Sequence, residues 1–188
     1  MGGYKYNVRN CQYAPVSVDS STTYTLGTIV PLPDLRTIDI TFLTATGELY
    51  GDGKLVAKDS KLTGAQAKIG IDKIPQAARA ALLGHTVSAK GIMAVKTGET
   101  PLQIALYGEI ELNNGGYEAF WLLSGKCEPI NITGNQAEGN INYTTDELTI
   151  DFIARKKDNA VCMYADTDNS AFDTSAQTAF KAAPDVAS

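Results

Sequence analysis

Hydrophobic and polar residues alternate along several segments of the chain, as they do in half-buried β-strands. The segments with the clearest alternation are residues 4–8, 38–42, 67–71 and 148–154. Two more strands are expected in Thr86 to Met93 and in Leu102 to Leu112, which turn-forming residues separate from each other. The pattern therefore predicts a mainly β protein.

The hydrophobic period changes from two to about 3.6 directly after the strand that ends near Ile71, which predicts a helix there. Pro75 suits the first helical position, and Gly84, just past Leu83, can adopt the left-handed conformation that closes a helix. The expected apolar stripe consists of Ile74, Ala77, Ala78, Ala81 and Leu82. A helix of roughly ten residues is marginal on its own, so we expect it to pack as a lid on the β-structure.

The segment Asn113-Asn114-Gly115-Gly116 marks the clearest β-hairpin, because Asn and Gly tolerate positive φ angles. A four-residue connection would place Leu112 opposite Tyr117. It would also place Trp121, the single tryptophan, across the bare backbone at Gly108. We therefore predict that Trp121 belongs to the core.

Acidic residues recur on the other, polar face of these strands. Glu109, Glu111 and Glu118 are expected to share that face, with Glu111 and Glu118 paired across the hairpin. Like charges directly opposite each other cost stability, so this arrangement is unusual for a structural surface. The last strand also carries acidic residues on its polar face, namely Glu147 and Asp151.

Two segments have too little apolar character for a core strand or helix. Ala45 to Gly64 is rich in Gly, Lys and Asp, and compact domains rarely keep so long a segment unless it is used or ordered by a partner. We expect it to form a projecting loop or hairpin. Residues 166–188 are small, polar and alanine-rich, and we expect a flexible C-terminal tail there.

Length, charge and cysteine content narrow the class of protein. A chain of 188 residues fits a single domain with long loops. The net charge of −5 and the absence of a basic run argue against a protein that grips nucleic acid. Cys11, Cys127 and Cys162 are an odd number at wide spacings, which favours reduced, buried thiols. The first residues lack the apolar core of a signal peptide, so we expect synthesis and folding in the cytoplasm.

The sequence contains few motifs that indicate catalysis or ligand binding. His85, the sole histidine, follows the predicted helix end, where a structural or capping role is favoured over catalysis. Gly51-Asp52-Gly53-Lys54 resembles a phosphate loop only faintly and is interpreted as a turn. Asp166, Asp168 and Ser170 begin like a calcium loop but lack its glycine and final glutamate. We therefore predict no catalytic residues, no metal site and no cofactor.

Several short motifs, taken in order, resemble the major tail protein family of long-tailed phages. These motifs are Tyr13-Ala14-Pro15, Leu49-Tyr50-Gly51-Asp52-Gly53, Ala81-Leu82-Leu83-Gly84-His85, Ala119-Phe120-Trp121-Leu122 and Leu148-Thr149-Ile150. None is specific alone, and their order and spacing carry the resemblance. The resemblance covers roughly Tyr4 to Tyr164. It implies a tail-tube β domain over residues 1–165, with the C-terminal residues 166–188 outside this domain.

The resemblance implies a β-sandwich or barrel with one flanking short α-helix. It also implies a structural virion protein, located in the phage tail and made in the host cytoplasm, whose hexameric rings stack into the tail tube. Viral DNA would pass through this tube during ejection without specific binding. The expected partners are further copies of this chain, the tape measure protein and other tail proteins, with no membrane insertion and no enzymatic activity.

Within that expectation, two groups of residues are candidate functional sites. We hypothesise that acidic side chains line the tube lumen and repel DNA phosphates. The candidates are Glu109, Glu111, Glu118, Glu147 and Asp151, with Asp39 as a further one. The candidate inter-subunit loop consists of Tyr50, Gly51, Asp52, Gly53 and Lys54. Pro75, Leu82, Leu83, Gly84 and Trp121 are expected to be structural.

Two alternatives stay open. An inner tube of a contractile tail, a phage-tail-like bacteriocin or a type VI-like secretion system would have the same fold. A carbohydrate-binding β-sandwich would instead present a row of exposed aromatic residues, for which Tyr24, Tyr50 and Tyr143 are candidates. The acids could equally be ordinary solvent-facing side chains on the outer surface.

Overall fold

The computed structural model describes residues 3–134, 136 and 144–185, so Tyr143 and the last three residues of the predicted tail lie outside the described part. The protein is mainly β, as the alternation predicts. The elements are β1 (Lys5–Asp19), β2 (Tyr24–Leu26), β3 (Val30–Pro31), β4 (Leu35–Gly51), β5 (Lys54–Ile71), α1 (Gln76–Leu83), β6 (Thr86–Val87), β7 (Met93–Ala94), β8 (Gln103–Leu112), β9 (Tyr117–Cys127), β10 (Asp146–Phe152), β11 (Cys162–Asp166) and α2 (Thr174–Ala182).

One large antiparallel sheet organises the molecule. Its strand order is β2-β1-β8-β9-β10-β5-β4, with β11 beside β9 and β3 beside β1. Cys11 and Tyr13 on β1 meet Ala67 and Ile69 on β5 in one hydrophobic core, although these strands lie near opposite ends of the order. The sheet therefore curves around its core, and the expected sandwich-like fold with a flanking helix is confirmed.

The expected strand from Thr86 to Met93 is corrected by the structure. The two short strands β6 and β7 pair with each other through Thr86 opposite Ala94 and Val87 opposite Met93. They form a separate two-stranded sheet, with a reversal at Gly91, whose φ is 73°. The positive φ at this glycine allows the chain to turn back inside the segment that was expected to be continuous.

Helix α1 covers the core, as expected, but it begins one residue later than predicted. Pro75 has φ −55° and ψ 139°, so it precedes the helix instead of forming its first residue. Gly84 has φ 73°, which confirms the left-handed closure. A Cβ on Gly84 would also lie 2.5 Å from the carbonyl oxygen of Thr100, so both conformation and space require glycine.

The buried stripe of α1 differs from the predicted one. Ala77 and Ala81 are exposed, whereas Ala80 and Leu83 are buried. Ala78, Leu82 and Leu83 pack in the main core, and Ala80 is buried outside that cluster, so the helix is covered on more than one side. The predicted structural roles of Leu82 and Leu83 agree with their burial.

The hairpin between β8 and β9 has a register one residue away from the predicted one. Tyr107, not Gly108, lies opposite Trp121, and Gly108 lies opposite Phe120. Because side chains alternate between the faces of a strand, this slip moves every β9 side chain to the other face. Phe120 therefore covers Gly108, where a Cβ would lie 2.6 Å from the Phe120 ring.

Trp121 is fully buried, as predicted, but in a second core on the opposite face of the sheet. The residues of this core are Ala14, Ala105, Tyr107, Ala119, Trp121, Leu123 and Phe180. Phe180 belongs to α2. Its backbone carbonyl accepts a hydrogen bond of 2.5 Å from Trp121 Nε1. The prediction of a flexible tail is therefore corrected for the described residues 166–185, because α2 and its Phe180 cover the face that Trp121 occupies.

Candidate assembly surfaces

The hairpin formed by β4 and β5 extends far beyond the body of the sheet. Residues 41–63, which we call the arm, are exposed on both strands wherever their exposure is described. At about 3.3 Å per residue, the arm projects roughly 30 Å. Of the two forms expected for Ala45 to Gly64, the structure has the hairpin.

The tip of the arm is the candidate inter-subunit loop. Gly51 pairs with Lys54 across the turn residues Asp52 and Gly53. These two have φ angles of 50° and 75°, as in the mirror-image turns that suit the strand twist. Just before the turn, Tyr50 donates a 2.8 Å hydrogen bond to Glu48 Oε2, which helps to order the tip. The predicted loop residues therefore lie together at the outermost point of the molecule.

The arm carries an unusual amount of exposed apolar surface. Its exposed large hydrophobic residues are Phe42, Leu43, Leu49, Tyr50, Leu55, Val56 and Leu62, with exposed fractions from 42% to 65%. A two-stranded ribbon without a packed face is marginally stable in water, and extended apolar patches mark interaction sites. The arm therefore has the exposed apolar surface that is typical of interaction sites.

Strand β4 is also one end of the strand order, so the outward backbone groups of Leu35–Gly51 face no further strand in the described part of the sheet. A long unpaired edge of this kind can pair with another chain. At the other end of the order, β2 spans only Tyr24–Leu26. The open edge of the sheet therefore lies on the same hairpin that carries the arm.

Glu109 does not line any open surface, which corrects the prediction. It is 3% exposed, and its carboxylate accepts hydrogen bonds from Arg9 Nε (2.8 Å), Asn10 Nδ2 (2.8 Å) and the Tyr107 hydroxyl (2.7 Å). Burial, and then the bond to Glu109, raise the pKa of Tyr107. Arg9 also pairs with Glu111, so these two acids belong to one internal ion-pair network.

Glu118 lies on the other face of the sheet, contrary to the prediction that it shares a face with Glu109 and Glu111. The register slip places it opposite Ile110, and it pairs with Lys5 Nζ at 2.5 Å. Tyr164, two residues before Asp166 on β11, is desolvated and bonded to Glu118, and both effects raise its pKa. Glu118 is therefore a partly covered, paired charge.

Glu147 and Asp151 do lie on an exposed polar surface. On β10 they point to the face opposite Leu148 and Ile150. Asp39 on β4 lies on the same face of the sheet as Glu147 and Asp151. We call this surface, formed by the outward side chains of β4, β5 and β10 with the adjoining Lys126 and Glu128, the polar face.

Positive charges lie among these acids. In the strand register Asp39 is opposite Lys68 and Asp151 is opposite Lys126, so the polar face carries charges of both signs. Partial desolvation and the neighbouring Asp151 carboxyl raise the pKa of Glu128, which shows that acidic groups still crowd one part of it. Of the candidate lumen residues, only those on the polar face are open to solvent.

A cavity of about 300 Å³ lies beside the C-terminal end of α1. Its apolar lining consists of Leu83, Met93, Val95, Pro101, Pro129, Ile130 and Ile132. Val95 is 70% exposed and Ile132 87% exposed, so the apolar surface continues out of the cavity onto its rim. We call the cavity and this rim the α1 pocket.

Most of the charged groups around the α1 pocket are paired, and Lys96 adds a further positive charge to its lining. His85 Nδ1 contacts Glu99, and this contact lowers the pKa of the Glu99 carboxyl. Arg79 Nη2 lies 3.2 Å from Asp146 Oδ2. The structural role predicted for His85 is consistent with this pairing. No sequence pattern predicted the pocket, because its residues come from short loops without hydrophobic periodicity.

Among the described residues, no group of three or more His, Cys, Asp or Glu residues could hold a metal ion. In the same part of the chain, no helix is long and apolar enough to cross a bilayer. Comparisons with models of known protein families and with curated protein sequences find no match to this chain.

Proposed function

We propose that this protein is the major tail tube subunit of a long-tailed phage, a structural virion protein that assembles into stacked hexameric rings. The observation that carries the proposal is the arm, which exposes a row of apolar residues on a hairpin whose outer strand is an open edge. Both features need a partner, and copies of the same chain can supply one around a closed ring.

The resemblance in motif order supports the same function. The short motifs named above fall on elements that shape the fold, including the closure of α1 at Gly84 and the strand that carries Trp121. The fold has the mainly β architecture with a flanking helix that the resemblance implies. A tube subunit acts by shape and needs no cluster of converging reactive groups.

The polar face is the candidate lining of the lumen. Its exposed acids, Glu147, Asp151 and Asp39, would repel DNA phosphates, and Lys68 and Lys126 would limit the strength of this field. A wall of this kind lets DNA slide, because few counterions are released on contact and binding stays weak. Viral DNA would then pass without specific binding.

Removal of the arm tests the proposal. Ala45 pairs directly with Lys61, so residues 46–60 can be replaced by Asn-Gly to give a shortened hairpin with a favoured two-residue turn. We expect the shortened protein to keep its melting temperature and its Trp121 fluorescence but to form no tubes in negative-stain micrographs. The control Asp52→Asn keeps the full arm and should assemble as the original does. Tubes of normal length from the shortened protein would refute the role of the arm.

The tube of a contractile particle or secretion system remains an alternative, since it would share these surfaces. A neighbouring sheath gene would distinguish it. The carbohydrate-binding alternative needs a row of exposed aromatic residues. Trp121 is fully buried, Tyr24 is half-buried and Tyr50 lies at the arm tip, so no such row joins these residues.

A further inference from the structure

We propose that the arm of one copy inserts its apolar tip into the α1 pocket of a second copy. This inference rests on the proposed function and specifies which surface the arm contacts. The two surfaces account for most of the exposed large hydrophobic residues among the described residues. Those of the arm are given above, and those of the α1 pocket are Val95 and Ile132.

The positions of the two surfaces exclude contact within one chain. Strand β5 begins beside the arm tip at Lys54 and ends at Ile71, after which the chain enters α1. Ile71 pairs with Asp146, which contacts Arg79 at the edge of the α1 pocket. The arm tip and the pocket therefore lie at opposite ends of the same strand, so the pocket can receive an arm only from a second copy.

The arm is large enough for a stable contact. It comprises roughly twenty residues, which matches the approximately 20–30 residues that one partner contributes to a standard interface. The cavity of about 300 Å³ can take one or two large apolar side chains, such as Leu49 or Leu55 from the tip. Burial of such anchors in a pocket is the usual source of interface affinity.

Charge does not oppose this pairing, because the arm is balanced overall and Lys96 is the one lining charge of the α1 pocket without an ion pair among the described residues. The arm contains Lys54, Lys58 and Lys61, which balance the acids Glu48, Asp52 and Asp59. Lys58 pairs with Glu48 at 2.8 Å. Around the pocket, Glu99 pairs with His85 and Asp146 with Arg79. Docking would bury mainly apolar surface, so we expect the contact to persist at high salt.

A contact between two different surfaces has a geometric consequence. Each copy would use its arm at one end and its pocket at the other, which is a head-to-tail interface. Such an interface repeats without limit unless it closes into a ring. It therefore gives the assembly a direction along which copies are added.

Cross-linking between two marked copies tests this inference. Leu49→Cys marks the arm and Val95→Cys marks the pocket, and both positions are exposed, so neither change disturbs the core. The two variants are mixed and treated with a short bis-maleimide. We expect mixed dimers to exceed either homodimer by at least about tenfold. The unmarked protein, whose Cys11 and Cys127 are buried, gives the background.

Serine variants supply a second readout. Ile132→Ser in the pocket should reduce assembly as strongly as Leu49→Ser in the arm, whereas Ile153→Ser should leave it unchanged. Ile153 is 63% exposed and belongs to neither surface, so it is a matched control. A 1:1 mixture of the arm and pocket variants should form a pair that cannot grow.

The outcomes separate the two proposals. Normal tubes from Ile132→Ser, or arm-to-arm dimers in place of mixed ones, would overturn the arm–pocket contact and leave the tube function standing. Failure of the original protein to form any ring, tube or cross-linked pair would overturn both. Binding of a different protein in the pocket, with no mixed dimers, would also overturn the contact.

Discussion

Replacement of Phe180 by alanine should destabilise the protein by about 3 kcal/mol, because this residue anchors α2 over the second core. The Phe180 side chain is 5% exposed, and its ring lies 6.3 Å from Tyr107 and 5.7 Å from Phe172, both in edge-on geometry. Full burial of a phenylalanine contributes up to about 3 kcal/mol, and each aromatic pair adds about 0.5–1.5 kcal/mol. A neighbouring open cleft of about 680 Å³ lets the site relax, which places the expected loss near the lower end of the range for core Phe→Ala changes.

The assay is urea unfolding followed by Trp121 fluorescence. Trp121 is the single tryptophan and donates its indole N–H to the Phe180 carbonyl, so it reports directly on the contact. A loss of about 3 kcal/mol corresponds to a decrease in melting temperature of roughly 6–12 °C for a domain of this size. Ser175→Ala, at an exposed position of the same helix, is the control and should change stability by less than about 0.5 kcal/mol. If Phe180→Ala lowers the free energy of unfolding no more than this control does, and the Trp121 emission maximum stays unchanged, α2 does not stabilise the second core and our reasoning is wrong.

Three further predictions concern Gly84, Asp158 and the pair Glu147 and Asp151. Gly84→Ala should destabilise the protein by about 1–2 kcal/mol more than Gly53→Ala in urea unfolding, because both glycines have positive φ but only Gly84 lacks space for a Cβ. The Arg155 guanidinium lowers the pKa of Asp158 from its ordinary 3.8 to about 2. The charged carboxylate therefore stabilises the fold above pH 3.8, and this stabilisation is lost as the pH falls toward 2. Because Asp158 is 40% exposed, Asp158→Asn should lower the free energy of unfolding by only about 1 kcal/mol at pH 7. The difference in stability between the variant and the original protein should vanish near pH 2. An equal difference at pH 7 and pH 2 would show that the Arg155–Asp158 ion pair is not its cause. Glu147→Lys combined with Asp151→Lys should leave assembly intact but make the tubes retain DNA at low salt, and unchanged DNA passage would count against the polar face as lumen lining.

The local patterns of the chain predicted most of the elements. Period-two alternation identified β10 and the base of the β4–β5 hairpin, because one face of each strand is buried and the other is not. Gly84 predicted the end of α1, since few residues other than glycine adopt its backbone conformation readily. The Gly- and Lys-rich composition of Ala45 to Gly64 indicated a projecting segment, because a core strand would have needed more apolar residues.

The candidate site was harder to predict than the elements. Glu109 looks like a surface residue in the sequence, because alternation shows only that it does not share a face with Ile110. The second core covers that other face as well, and only the fold brings Arg9 and Asn10 to the carboxylate. The α1 pocket was missed for a related reason, since its walls combine the end of α1 and the segment after it with a separate segment at residues 129–132.

The sequence by itself determined that this is a mainly β protein with a short helix closed at Gly84, a projecting segment and a buried Trp121. These features depend on local periodicity and on the conformations that individual residues allow. Only the tertiary structure decided the register of the β8–β9 hairpin, and with it the faces on which Trp121 and Glu118 lie. The physical reason is that both faces of β9 are largely apolar, so alternation cannot fix the register there, and the packing of α1 on one side and α2 on the other selects it.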